Sequence, residues 1–145
     1  LVPEMSVEEN IRLPGLALDL DKAEIKLRLE EIYTFLPQLH VMRLRPGGGV
    51  SGGQGKMVAL GRALMVARKV LLLDEPFQGL APALALDYAR TLGELRKHRP
   101  DLALFITEST PALLNAIADR TLRIERGEIS EQSTHLAENE NASAV

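Results

Sequence analysis

Two groups of residues between Val50 and Glu75 could do chemistry. Ser51-Gly52-Gly53-Gln54 places a hydroxyl and small residues at the start of a helix-like run. Backbone N–H groups at a glycine-rich helix start have no intrahelical acceptor and sit at the positive end of the helix dipole, so they attract phosphate. Asp74-Glu75 ends the uninterrupted apolar run Val70-Leu71-Leu72-Leu73, and Pro76 follows at once. Adjacent carboxylates at a strand end suit a magnesium ion and a general base. Either half alone is also what an ordinary helix cap or a solvated acid pair looks like.

The elements that must position these groups are legible around them. From Ser51 a helix is expected to continue to about Ala67, apolar or small on more than one side at Met57, Val58, Gly61, Leu64 and Met65 and therefore largely buried. Arg68-Lys69 suits the negative end of its dipole. The strand 70–74 is apolar throughout, which predicts cover on both faces and a parallel sheet between helices. Phe77 to Pro82 reads as a loop around Gly79. A helix is expected over roughly 83–98, with Leu84, Tyr88, Leu92 and Leu95 on one stripe. Leu102 to Thr107 reads as a second buried strand. Thr110 and Pro111 are placed to cap and start another helix, with Leu113, Leu114 and Ile117 inward. Residues 121–126 alternate like a half-exposed strand that Gly127 turns toward Ile129.

Upstream, Ser6-Val7-Glu8-Glu9 has capping-box form and opens a short helix expected to stop at Pro14-Gly15. Asp21 and Glu24 repeat the device ahead of Ile25, Leu29, Ile32 and Leu36, and Pro37 marks that helix's end. Arg45 to Gly49 reads as a flexible loop. Strand, helix, strand, helix, strand gives an α/β class. The expected organisation is residues 1–69 as a helical part, 70–130 as a sheet part, and 131–145 as a flexible tail.

The 145 residues are 46% apolar and 26% charged, enough for one domain with a core. The net charge of −3, without a Lys/Arg block, argues against a sequence-independent nucleic-acid footprint. There is no cysteine, so disulfides and thiolate metal sites are excluded. His40, His98 and His135 show no metal-ligand spacing. No apolar run approaches the length of a membrane span, and the start, Leu-Val-Pro-Glu, has no signal-peptide character. It also carries no initiator Met, which fits a fragment.

Gly55-Lys56 invites a phosphate-loop reading, G-x-x-x-x-G-K-[ST] after a buried strand. The first glycine position is Val50, however, and the Ser/Thr position is Met57, which cannot ligate magnesium. No other Gly-Lys-Ser/Thr occurs in these residues, so no Walker A motif does.

The motif pair does resemble a known family. Val50-Ser51-Gly52-Gly53-Gln54 is similar to the LSGGQ signature of ABC-type ATPases, Arg62-Ala63-Leu64 continues it in the usual way, and Leu71 to Glu75 matches Walker B. The resemblance runs from Leu1 to about Ile129 and covers the C-terminal part of the nucleotide-binding domain. Gly79-Leu80-Ala81-Pro82 looks like the D-loop of the branch that imports branched-chain amino acids, and Val2-Pro3-Glu4 looks like the Q-loop region of that branch, with Glu4 where many members carry glutamine. The implied fold is an incomplete P-loop NTPase: a mostly parallel sheet flanked by helices plus a helical signature subdomain.

The resemblance implies ATP and Mg2+ as cofactors. Asp74 would hold magnesium and Glu75 would polarise the attacking water. Ser51, Gly52, Gly53 and Gln54 would meet the γ-phosphate of a nucleotide bound by an opposite subunit, and Glu4 a metal-bound water or the transmembrane partner. Ser109, after Glu108, falls where the family carries its switch histidine; it is shorter and cannot act as a cationic contact. The implied partners are a second ATPase subunit in a head-to-tail dimer and transmembrane permease subunits, on the cytoplasmic face of the inner membrane, without direct membrane insertion. Without a phosphate loop, the 145 residues alone are expected neither to bind nor to hydrolyse ATP. Two readings stand open: a transporter ATPase subunit, and a non-catalytic protein that docks on a transporter or a complete ATPase. A DNA-repair ATPase is disfavoured, since neither long coiled coils nor zinc modules are present.

Overall fold

The computed structural model describes residues 1–109 and 111–132. The expected cap at Thr110 and all but the first two residues of the expected tail lie outside them. Residues 1–110 and 111–145 form two separate units.

Ser6 opens α1, Val7–Ala17, with a full capping box: its Oγ accepts the Glu9 N–H at 3.2 Å, and Glu9 Oε2 accepts the Ser6 N–H at 2.7 Å. Pro14-Gly15 does not stop this helix. It runs through to Ala17 and ends where Asp19 takes a φ of 54°. An internal proline costs about 3 kcal/mol through one lost hydrogen bond and a ring clash, and packing offsets it. A Cβ on Gly15 would stand 3.2 Å from both Ile25 and Met65, so the bare glycine lets α1 lie close on its neighbours.

Asp21 caps α2, Lys22–Phe35, accepting the Glu24 N–H at 2.7 Å. Only half the expected box forms, because Glu24 turns to Arg28 at 2.7 Å and Arg28 continues to the Met65 carbonyl. Ile25, Ile32 and Leu36 are buried as expected, and Leu29 is half-buried. Pro37 both ends α2 and begins α3, Pro37–Val41.

The glycine run before Ser51 is pinned rather than flexible. Gly47 N–H donates to the Met5 carbonyl at 2.7 Å, Gly48 N–H to the Pro3 carbonyl at 3.0 Å, and a short bridge pairs Ser6 with Pro46. Gly47 is required there: a Cβ would sit 2.7 Å from the Val2 carbonyl oxygen. α4, Gly52–Val66, then buries Met57, Val58, Leu60, Gly61, Leu64 and Met65. Arg68 and Lys69 lie beyond its end, exposed, and not in its last turn.

β1, Val70–Asp74, is followed by α5, Pro82–His98, and by β2, Ala103–Thr107. The strands pair in parallel, with Leu71 opposite Leu104, Leu73 opposite Ile106 and Asp74 opposite Thr107. The expectation of two covered faces fails. Leu71 is buried and Leu73, Leu104 and Ile106 are half-buried on one face, while Leu72 is 71% and Phe105 58% exposed on the other. Among the described residues this sheet has two strands. A βαβ unit covers one face with its own helix; an apolar strand needs a second layer for the other.

In the second unit, residues 111–113 make one 3-10 turn in place of the expected helix. β3, Thr121–Glu125, and β4, Glu128–Gln132, form an antiparallel hairpin separate from the parallel sheet, turned by Arg126 (φ 51°) and Gly127 (φ 84°). Positive φ at both central residues is the tight two-residue turn that matches strand twist. Glu131 and Gln132, assigned to the tail in sequence, belong to β4.

Candidate functional site

Ser51 caps α4 as Ser6 caps α1. Its Oγ accepts the Gln54 N–H at 3.3 Å, and Gln54 Oε1 accepts the Ser51 N–H at 3.0 Å. Gln54 thus spends its carbonyl oxygen on the helix end. The Gly52 and Gly53 N–H groups are the first two of the helix and have no acceptor within it. α1 carries Glu8 and Glu9 in its first turn, whereas α4 carries no acidic residue there, so its positive end is left uncompensated. An added Cβ meets nothing at Gly52, which is open, but would collide with the Leu84 side chain at Gly53. Gly53 therefore lets the start of α4 approach Leu80 and the first turn of α5.

Asp74 and Glu75 end β1 in different ways. Asp74 Oδ1 accepts a short hydrogen bond from Thr107 Oγ1, its register partner. Glu75 leaves the strand with φ of 45°, a left-handed conformation that non-glycine residues seldom adopt. Its N–H donates to the Thr107 carbonyl at 3.0 Å. Its Oε2 accepts from both the N–H and the hydroxyl of Ser109 at 3.3 Å. Glu108 lies beside it, accepting the Phe77 N–H at 2.8 Å. Partial burial and then the nearby Glu75 carboxylate push the Glu108 carboxyl above its ordinary value.

One side chain joins the two groups. Lys56, in α4, donates from Nζ to the Glu75 carbonyl at 2.9 Å and to the Pro76 carbonyl at 3.3 Å. The glycine turn and the acid pair therefore share one scaffold. Lys56 lies in the second turn of α4, four residues after Gly52, and the residues that leave β1 meet it there.

The structure thus brings Ser109 and, through Lys56, α4 to Glu75. Glu4 stands apart: it is exposed, and its segment is tied to the glycine run through Pro3. The sequence reading takes Lys56 only as the lysine of a rejected phosphate loop, and it misses Thr107 and Asn10. Lys56 and Thr107 carry no local signal of their distant partners. Asn10 could have been found, as a polar residue on the inward side of α1 between Val7 and Ile11. It is fully buried, accepts from the Val2 N–H at 2.8 Å and from Arg62 at 3.3 Å, and donates to the Val2, Met5 and Ser6 carbonyls.

Among the described residues no three acidic or histidine side chains converge as a metal cage. Asp74, one carboxylate beside a threonine hydroxyl, is instead the sparse donor set that fits magnesium, which keeps several waters and takes one or two carboxylates along with substrate phosphates. No helix of the described residues is long and apolar enough to cross a membrane.

The profile described as "ABC transporter" matches residues 1–78, more than half of the chain. The chain belongs to the ABC transporter family. A branched-chain amino acid transport ATP-binding protein of Pseudomonas aeruginosa is 33% identical over 92% of this chain and 55% of its own length. A glucose import ATP-binding protein of Saccharolobus solfataricus is 38% identical over 89% of this chain and 36% of its own. A sulfate/thiosulfate import ATP-binding protein of Agrobacterium fabrum is 37% identical over 92% of this chain and 39% of its own. Among solved structures, an ATP-binding cassette of an ABC transporter in its ADP conformation superposes with a TM-score of 0.74 at 29% identity, covering 89% of this chain and 55% of that one. This ABC-family chain has the α/β fold of such cassettes and spans about half the length, or less, of the relatives it matches. Those relatives are named for several cargoes, so the amino-acid branch is one among several.

Proposed function

We propose that the chain supplies the signature-and-acid wall of an ATP site in the ATP-binding subunit of an ABC importer. The observation that carries this is the Lys56–Glu75 contact, which holds the phosphate-attracting helix start and the acid pair on one scaffold. In this reading the Ser51 hydroxyl and the Gly52 and Gly53 N–H groups meet the triphosphate of a nucleotide on a second ATPase subunit, head to tail, with Gln54 fixing the turn. Asp74 would hold magnesium, which supplies charge neutralisation on the phosphates. Glu75 orients and polarises the attacking water, and Ser109 holds the Glu75 carboxylate. Glu4 faces a permease subunit or a metal-bound water. The assembly sits against transmembrane subunits on the cytoplasmic face of the inner membrane. Amino acids are the narrower cargo reading, resting on Gly79-Leu80-Ala81-Pro82 and the Pseudomonas relative.

No Walker A motif occurs in the 145 residues, so residues 1–145 alone do not grip a triphosphate in this reading. Positioning and charge stabilisation dominate phosphoryl transfer, and without the phosphate loop most of both is lost. The test is Mg-ATP turnover by the complete gene product and by residues 1–145. Turnover is expected only where a Gly-x-x-x-x-Gly-Lys-Ser/Thr loop is present, and Glu75→Gln should lower it at least about a hundredfold. Turnover by residues 1–145, or turnover indifferent to Glu75→Gln, would overturn the reading. The non-catalytic docking protein is the second reading, favoured by Ser109 in place of a cationic side chain. It expects binding to a complete ATPase subunit with no turnover that depends on Glu75.

A further inference from the structure

The geometry points to Lys56 as a positioning residue for Glu75, one that makes the direction of the Glu75 carboxylate depend on where the start of α4 stands. The inference rests on the roles proposed above for the α4 start and Glu75. Glu75 occupies a left-handed backbone conformation that a non-glycine residue holds only when its surroundings over-determine it. Three elements do so. β2 takes the Glu75 N–H through the Thr107 carbonyl, and Ser109 takes its carboxylate. α4 takes its carbonyl through Lys56.

The third tie differs from the others. Thr107 and Ser109 belong to the strand that pairs with β1 and to the residues just beyond it, so they move with the sheet. Lys56 belongs to the helix whose first turn is free to meet phosphate. Its ammonium gathers two successive carbonyls, of Glu75 and Pro76, the first of which also accepts the Gln78 N–H at 3.2 Å. A shift of α4 toward or away from a nucleotide therefore pulls on the turn that aims Glu75. A charge-assisted bond of this kind is about twice as strong as a neutral one, and a long lysine stem follows small movements without breaking it. The same ammonium also draws the Glu108 carboxyl toward its charged form, opposing the effects of burial and Glu75.

The test replaces Lys56 in the 145-residue chain and in the complete gene product. Lys56→Met keeps the stem and removes the donor; Lys56→Arg restores a cation. In the chain, Lys56→Met should speed hydrogen exchange at the Gln78 and Ser109 amides about tenfold while β1 amides keep their rates, and Lys56→Arg should restore protection. In an active assembly, Lys56→Met should lower kcat roughly ten- to a hundredfold with KM for ATP unchanged, again recovered by Lys56→Arg. Equal acceleration across α4 and β1 would mean a merely structural lysine and overturn the inference, as would unchanged exchange at Gln78 and Ser109. Failure of the underlying reading shows differently, as turnover indifferent to Glu75→Gln.

Discussion

The helical part, α1 to α4, and the parallel pair, β1 and β2, both carry apolar residues that need cover, and they end up differently. In the first, Val7, Ile11, Ile32, Leu39, Met57, Val58 and Leu60 are all almost completely buried. In the second, Val70, Leu72 and Phe105 are more than half exposed. The helices enclose their own core because they turn their apolar faces on one another, α1 and α2 on α4 and on each other, and α3 on α1 and α2. The sheet offers two apolar faces and has cover for one. Apolar content therefore reports how much surface wants cover, and topology decides whether the chain itself supplies it. The bare face is consistent with a chain that spans about half its relatives' length.

The contrast is broken most sharply by one deletion made in both regions. Leu60→Ala in α4 removes a side chain that is 1% exposed and should cost about 3 kcal/mol, from lost transfer energy and the cavity left behind. Leu72→Ala in β1 should cost less than about 0.5 kcal/mol, since Leu72 is already in water. Urea unfolding followed by far-UV circular dichroism measures both. Comparable losses would mean that the exposed sheet face is covered in solution and that the contrast is wrong.

Much of this division was legible in sequence, and the failures share a cause. Ser6 with Glu9 and Ser51 with Gln54 announce their helices because a capping box is a contact across three residues. Asp21 announces half a box, since Arg28 competes for Glu24 one turn further on. Pro14-Gly15 misleads because a local helix-breaking cost of a few kcal/mol is set against packing on Ile25 of the next helix and on Met65 of α4, beyond the reach of a local pattern. The strand at 70–74 is placed correctly but its cover is not, because an all-apolar run states a demand and not its supply. The acid pair and the glycine turn were found as types. Their junction was not: Lys56 and Glu75 are nineteen residues apart on different elements, and nothing in a lysine within a helix names a carbonyl as its target.

A middle-sized effect sharpens how the helical part closes on itself. Asn10 is the buried polar side chain there, and it knits residues 2–6 to α1 while touching Arg62 of α4. Asn10→Ala should cost about 2 kcal/mol, because several backbone groups of residues 2–6 lose partners in a partly buried setting. The same change should open residues 1–6 to proteolysis ahead of global unfolding. If stability fell with no change in cleavage at the N-terminal segment, Asn10 would be an ordinary core residue and not a clasp.

The smallest effect on folding belongs to the exposed sheet face, and it is the most informative about that face. Leu72 and Phe105 are register partners on neighbouring strands, so a double substitution to lysine puts two like charges side by side on the bare surface. Their repulsion costs a few tenths of a kcal/mol in water, and little burial is lost, so unfolding free energy should change by no more than about 0.5 kcal/mol. Self-association should fall far more. An exposed apolar face next to open strand edges invites pairing between copies, and lysine at such positions is how natural sheets discourage it. Sedimentation velocity at several concentrations reads this directly: the parent chain should shift toward larger species as concentration rises, and the Leu72→Lys, Phe105→Lys chain should not. A parent chain that stays monomeric throughout would show that two uncovered strands can remain in water unaided, and the helical part would then owe its self-sufficiency to something other than the cover its helices give one another.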